Sequence, residues 1–304
     1  MNRFTQAVEA KQFLVTAEVT PPKGCNPARM LEMASALRDW VHAVNVTDGS
    51  RAVLRASSIT SAAILKSAGV EPICQMTCRD RNSIALQADL MGAQMLGISN
   101  VLALTGDPIK AGDHPKARGV FELESVRLLR LIDRLNQGLD LNEKSLTDQA
   151  THLFPGAAVD PQSPSWSGLQ RRFERKLKAG ARFFQSQLIS DFDRLDKFMH
   201  QIGSQTDRPI LAGIFLLKSA KNAHFINKYV PGVHISPSVI DRLDKASNPL
   251  KEGMNIAAEQ VKIARQLCDG VHMMAVKREE LIPEILEMAS VSPIQGITSS
   301  DTLS

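Results

Sequence analysis

Phe13-Leu14-Val15-Thr16-Ala17-Glu18-Val19, then Thr20-Pro21-Pro22-Lys23-Gly24 and Asn26-Pro27, is the stretch from which the fold can be read. Its first seven residues are mostly apolar or β-branched and predict a strand. The two prolines forbid a helix from continuing it. Asn26 then offers a side-chain oxygen to cap a helix that has Pro27 at its first position. Met30, Met33, Leu37 and Trp40 recur at helical spacing as its apolar stripe. The unit is strand, rigid loop, helix.

That unit repeats. Eight apolar runs occur, at 13–19, 43–48, 71–78, 100–106, 154–160, 183–188, 209–217 and 270–276. Segments 57–68, 83–96 and 166–179 repeat the amphipathic helix after runs two, three and five. Gly69, Gly97 and Gly180 stand where a left-handed residue would end each of these helices. Eightfold strand–helix alternation predicts an α/β fold, a closed (β/α)8 TIM barrel, with its chemistry where the strands end.

One break in rhythm follows the fourth run. Residues 107–117 are rich in Pro, Gly and charge, 121–135 read as a helix, and 138–153 are polar and irregular. Such an insertion after strand four is expected to act as a lid or ligand loop, with a solvated insertion as the alternative. A second long connection, 217–269, carries helical patterns at 220–228, 237–246 and 254–268. The expectation is a single domain over 1–304, with 291–304 a flexible tail.

The 304 residues are 43% hydrophobic and 22% charged, enough for one large core. Net charge is +4, with Lys and Arg spread through the helices, so no nucleic-acid partner is expected and a small anionic ligand suits better. Cys25, Cys74, Cys78 and Cys268 form no C-x-x-C pair. Cys74 and Cys78 lie ~13 Å apart along one strand, too far to share a metal. They read as buried free thiols in a reducing compartment. Residues 1–12 lack a signal-peptide core, and no apolar stretch nears the roughly 20 residues of a membrane span, so a cytoplasmic, membrane-free protein is expected. The histidines are scattered, and G-x-G-x-x-G, P-loop and H-E-x-x-H patterns are absent.

Few residues then stand out. Glu18 ends the first run with Thr16 and Thr20 on its own parity, so it faces either the barrel mouth or the helices. In the mouth, partial desolvation would raise its pKa and suit a general acid; a salt-bridged structural glutamate is the equal alternative. Asp107 follows Thr105-Gly106, where a glycine would let a ligand approach the backbone before a carboxylate, or where the carboxylate caps a turn. Thr47-Asp48-Gly49-Ser50 ends run two as a ligand contact or as ordinary turn chemistry. Gln187 interrupts run six, and a buried amide there must be hydrogen-bonded.

Four motifs stand in order. They are Ala17-Glu18-Val19-Thr20-Pro21-Pro22-Lys23-Gly24, Val44-Asn45-Val46-Thr47-Asp48, Gln75-Met76-Thr77-Cys78-Arg79-Asp80-Arg81-Asn82 and Leu102-Ala103-Leu104-Thr105-Gly106-Asp107-Pro108. Phe173-Glu174-Arg175-Lys176, Ala179-Gly180-Ala181 and Gln187 follow them. With these the chain resembles the methylenetetrahydrofolate reductase family over about residues 10–290. It is similar in particular to the reductase half of bacterial bifunctional homocysteine methyltransferase/methylenetetrahydrofolate reductases.

The resemblance implies FAD at the strand ends and reduction of 5,10-methylenetetrahydrofolate to 5-methyltetrahydrofolate. Glu18 would protonate N10 and so create the 5-iminium hydride acceptor. Asp107 would lie between flavin and pterin, and Gln187 and Arg278 would contact the folate. Thr47, Gly106, Arg175 and Lys176 would hold the flavin. Met76 would stand at a flavin-contact position where many members have histidine, and Thr105 where they have arginine. The aromatic residue common on strand five is here Val159 or a neighbour. The resemblance further implies NADH or NADPH as donor, with FMN or weak flavin binding as variants. A homo-oligomer is expected, and a separate electron-delivering subunit serves some relatives. The competing readings are a flavin-free folate- or pterin-binding methyl-transfer protein and a non-catalytic subunit of a redox complex.

Overall fold

A computed structural model describes residues 2–230 and 232–294. The strands are β1 (Leu14–Val19), β2 (Ala43–Val46), β3 (Pro72–Thr77), β4 (Asn100–Leu104), β5 (Phe154–Val159), β6 (Phe183–Leu188), β7 (Ile210–Phe215) and β8 (Gly270–Met274). They pair in chain order, all parallel, and β8 closes on β1. The expected barrel is present.

The helices are α1 (Arg3–Glu9), α2 (Ala28–Leu37), α3 (Ser58–Ser67), α4 (Ser83–Met95), α5 (Ser125–Asn136), α6 (Trp166–Lys178), α7 (Phe192–Gln201), α8 (Ala220–Tyr229), α9 (Pro237–Lys245), α10 (Pro249–Leu267) and α11 (Ile282–Met288). Side-chain oxygens of Ser57, Asn82 and Ser165 cap α3, α4 and α6. Gly69, Gly97 and Gly180 end the same helices at φ +76°, +73° and +100°.

Strand alternation sorts the core into two layers. Val15, Val44, Met76, Ala103, Phe184 and Val271 face outward and are buried against the helices. Leu14, Ala43, Ile73, Leu102, Phe183 and Leu211 fill the lower barrel, and Phe4 of α1 packs into them from below. Gly156 makes room for this plug, since a Cβ there would lie 2.2 Å from the Phe183 ring. α1 was not expected from the polar amino terminus.

Three expectations need correction. The helix placed at 121–135 starts only at Ser125, because Phe121 has φ +44° and its N–H is held by Cys78 O at 3.2 Å. The excursion between β4 and β5 also splits across the molecule. Residues 105–124 follow β4 at the mouth, whereas 137–153 run from α5 into β5 at the opposite end and cannot cover the site. Cys74 and Cys78 are buried, with burial pushing both thiols up to about 12, but Cys25 is exposed. At the carboxyl end, Ile294 N–H donates to Asp39 O at 2.7 Å, and the rest of the expected tail lies outside the described residues. Among the described residues no helix is long and apolar enough to cross a membrane.

Candidate active site

Above the apolar plug the barrel interior turns polar. Asn45 and Gln185 exchange amide hydrogen bonds at 2.7 and 3.1 Å, and Gln185 Nε2 donates to Thr16 Oγ1 at 3.0 Å. Thr16 Oγ1 lies 3.0 Å from His272 Nδ1. All four residues are buried. Thr16 Oγ1 also reaches Val271 O at 3.5 Å, so the hydroxyl ties β1 to β8 as well as to Gln185.

Glu18 shares the parity of Thr16 and lies two residues nearer the mouth. Its Oε2 is 3.9 Å from His272 Nε2, and its side chain is 22% exposed. Of its two possible directions, the structure shows the inward one. His272 was passed over in the sequence because its partners are remote in the chain.

Thr47 continues the inward parity of Asn45. It is 1% exposed, and its Oγ1 has no hydrogen-bond partner among the described residues. Asp48 beside it is structural. Its Oδ2 accepts from Thr77 N, Thr77 Oγ1 and Arg81 Nη1 at 2.8, 2.9 and 2.7 Å, tying the ends of β2 and β3 together.

Met76 is misplaced as a mouth residue. It is fully buried in the layer between strands and helices, so a ligand in the mouth does not meet it. Its neighbours Gln75 and Thr77 have the inward parity, and strand alternation alone could have identified them.

The β4 end differs in detail from expectation. Gly106 has φ +93°, and a Cβ there would lie 2.9 Å from Arg79 Cβ and 3.0 Å from Thr77 Cβ. What crowds the glycine is therefore the end of β3. Thr105 is exposed, and its Oγ1 accepts from Ser125 N–H at 3.1 Å, at the start of α5. Asp107 is exposed at the rim. Its Oδ2 accepts from Arg51 N–H at 2.7 Å, holding a turn in which Arg51 and Ala52 have φ +58° and +55°. Asp107 Oδ1 has no protein partner among the described residues.

Opposite, β6 carries a register irregularity between Gln185 and Leu188. Such an irregularity re-aims side chains, and Gln187 is exposed rather than buried; the buried amide on this strand is Gln185. Gln187 borders a cavity of about 130 Å³ together with Asp160, Arg172 and Lys176. Lys176 Nζ donates to Ala158 O at 2.6 Å, and burial lowers its pKa to about 8. Burial pushes the Asp160 carboxyl upward, against the pull of Arg172 and Arg194. Arg175 does not border this cavity and instead faces Glu124 at 3.5 Å. Arg172, missed in the sequence, is the cation beside Lys176; their i, i+4 spacing on α6 was the available signal.

Arg278 follows β8 and pairs with Glu280 at 2.7 Å. A cavity of about 670 Å³ opens at the far end of the barrel, among Asn136, Arg182 and Arg208, and none of these chemistry-bearing residues borders it. Among the described residues no group of three or more His, Cys, Asp or Glu is placed to hold a metal ion.

The sequence matches the family model for methylenetetrahydrofolate reductase over residues 3–290. A probable methylenetetrahydrofolate reductase (NADPH) of Caenorhabditis elegans is 23% identical over 317 residues, covering 97% of this chain and 45% of that protein. The chain thus spans about half the length of the curated relative it matches. An uncharacterized Clostridium thermocellum protein that binds two copies of 5-methyl-5,6,7,8-tetrahydrofolic acid has a TM-score of 0.65 at 12% identity, covering 95% of this chain and 100% of that one. EDTA monooxygenase from Chelativorans sp. BNC1 has a TM-score of 0.54 at 10% identity, covering 93% and 95%. At such identities the structural likeness is one of fold. The family match, however, runs from α1 to beyond α11, and on that breadth the chain belongs to the methylenetetrahydrofolate reductase family.

Proposed function

We propose that this chain is a flavin-dependent oxidoreductase of one-carbon metabolism that reduces 5,10-methylenetetrahydrofolate to 5-methyltetrahydrofolate, or runs that reaction in reverse. The supporting observation is Glu18, a carboxyl at the barrel mouth backed by His272, in a chain of this family. The reaction needs one proton and one hydride. The bond from N10 to the bridging methylene breaks, N10 gains a proton, and the iminium carbon left on N5 accepts the hydride. Glu18 gives N10 its proton and is left as a carboxylate. His272, with Nε2 facing that carboxylate, orients it and steadies its charge. Asp107, with one carboxylate oxygen unpartnered at the rim, favours the substrate cation. Gln187 and Arg278 are the folate contacts.

The residues present fit a flavin. The buried Thr47 hydroxyl lacks a partner among the described residues, and the cavity sets two cations, Arg172 and Lys176, against one carboxyl, Asp160, a balance that suits an anionic phosphate. Thr47, Thr105, Gly106 and Asp107 would border the ring, with Lys176, Arg172 and the more distant Arg175 on the phosphate side. A flavin bound there would carry hydride from donor to folate. FAD is the form the family resemblance favours, with NADH or NADPH as donor or a separate subunit delivering the electrons.

Replacing Glu18 tests the assignment. Glu18→Gln is expected to bind flavin normally and to accept electrons from the donor, yet to lose folate reduction on the order of a thousandfold. Near-normal turnover would remove Glu18 from the acid role. A colourless protein that binds folate would favour the flavin-free reading instead.

A further inference from the structure

The segment between β2 and α3 is held more tightly than a plain connection needs. Gly49 O accepts from Arg79 Nη1 at 3.0 Å, and Arg51 N–H donates to Asp107 Oδ2 at 2.7 Å. Leu54 N–H donates to Asp113 Oδ1 at 3.0 Å and Ala56 N–H to Pro22 O at 2.9 Å. Gly112 packs so closely against the segment that a Cβ there would collide with Ala52 O. Residues following β1, β3 and β4 thus all grip this loop. The grip fixes Arg51 and Ala52 in the left-handed region, at φ +58° and +55°. Two consecutive non-glycine residues there are strained, and such strain persists where the surroundings impose it, commonly at ligand clamps.

The Arg51 side chain is exposed and pairs with no carboxylate among the described residues. Other cations near the mouth are paired: Lys23 with Asp113 at 2.6 Å, Arg81 with Asp48 at 2.7 Å and Arg278 with Glu280 at 2.7 Å. Arg51 instead stands 6.0 Å from the ring centroid of Phe225 on α8. α8 is an addition to the barrel repeat, inserted between β7 and the long α10. Its Ala223 and Ile226 cluster with Leu188, Phe215, Leu217 and Met274 at the ends of β6, β7 and β8. Phe225 and Tyr229, one turn apart with ring centroids at 4.7 Å, are 46% and 51% exposed. β1 lies between β2 and β8 in the closed sheet. Glu18, on β1, therefore has the Arg51 loop on one side and, beyond β8, α8 on the other.

We propose that Arg51 and Phe225 form the subsite for the p-aminobenzoylglutamate tail of the folate, with Arg51 reading its carboxylates. This rests on the function proposed above. N10, the atom to which Glu18 gives its proton, bears the benzoyl ring directly. A substrate with N10 at Glu18 leaves the mouth between the two walls that flank β1, and these carry Arg51 and Phe225. An aryl ring meets Phe225 by offset stacking or edge contact, and a guanidinium holds a carboxylate through two parallel N–H donors. Because the backbone at Arg51 is already fixed, only its side chain is ordered on binding. Asp107 then serves the substrate twice, with Oδ2 setting the Arg51 backbone and Oδ1 left for the substrate cation.

The test compares 5,10-methylenetetrahydrofolate with its pteroate analogue, which lacks the glutamate, in wild type and variants. Wild type should prefer the glutamate-bearing substrate, and Arg51→Gln should lower that preference on the order of tenfold, through KM rather than kcat. Arg51→Lys should recover only part of it, since an ammonium lacks the planar fork. Phe225→Ala, which leaves the strained loop untouched, should raise KM for both substrates. Both positions are exposed, so the fold is expected to survive, with circular dichroism as the check. Calorimetric titration with 5-methyltetrahydrofolate and 5-methyltetrahydropteroate reads the same preference without turnover. An inactive wild type that still shows it, lowered in Arg51→Gln, would refute the reduction and leave the subsite standing. An active wild type whose preference is unchanged in Arg51→Gln would overturn the subsite alone. So would an equal loss on both substrates, or slower flavin reduction by the donor, which would assign Arg51 to the loop's fold or to the donor.

Discussion

Thr47 carries a buried hydroxyl with no partner among the described residues. Leaving such a group unpaired costs about 1–3 kcal/mol. Thr47→Val should therefore stabilise the flavin-free protein by about 1 kcal/mol, read as a higher Tm, while weakening flavin affinity. A lower Tm with unchanged affinity would show that the hydroxyl serves the fold alone. Lys176 gives a pH test. Its pKa of about 8 leaves it cationic at neutral pH and increasingly neutral above that value. Flavin affinity should therefore fall as pH rises through about 8, and Lys176→Met should flatten that profile. A slope that survives the substitution would assign it to another group. At this scale legibility depended on parity. Alternation along β1 left Glu18 facing in or out, and only His272, far away in sequence and in contact with Thr16 on the same face, settles it. Along β3 the same rule separates Gln75 and Thr77 from Met76, so that error was avoidable.

Helices and strands were legible where a cap and a stop bracket a periodic run, as in α3, α4 and α6. They were not where tertiary contacts override local pattern. Residues 121–124 have helical composition, yet Phe121 and Val120 donate backbone hydrogen bonds to Cys78 O and Arg79 O. The seven-residue α1 looked like a polar terminus because only Phe4 and its neighbours enter the barrel. One helical glycine yields a prediction of this kind. Gly-to-Ala inside a helix normally gains about 0.5–1 kcal/mol. At Gly253 in α10, however, a Cβ would lie 1.7 Å from Leu217 O. Gly253→Ala should thus push α10 off the end of β7 and lower stability by about 1–3 kcal/mol in a thermal or urea melt. A gain would mean that the helix slides at little cost.

The whole barrel was legible because its repeat occurs eight times, and each occurrence supports the others. The candidate site was only half legible, because closure assembles it from remote positions. Thr16, Asn45, Gln185 and His272 meet only when β8 returns to β1. No short motif encodes that layer. The same closure puts Glu18 and Asp107 at one end of the cylinder, while 138–153, read as part of a single insertion, goes to the other. The chemistry therefore rests on the mouth as a unit: an acid with a histidine 3.9 Å away, a rim carboxylate, and a cavity with two cations and one carboxyl. Anaerobic mixing of the flavin-reduced protein with 5,10-methylenetetrahydrofolate, followed by flavin absorbance, tests that unit most directly. Rapid reoxidation with formation of 5-methyltetrahydrofolate is predicted for the wild type, slowed on the order of a thousandfold in Glu18→Gln. A wild-type flavin that stays reduced under saturating folate would contradict it.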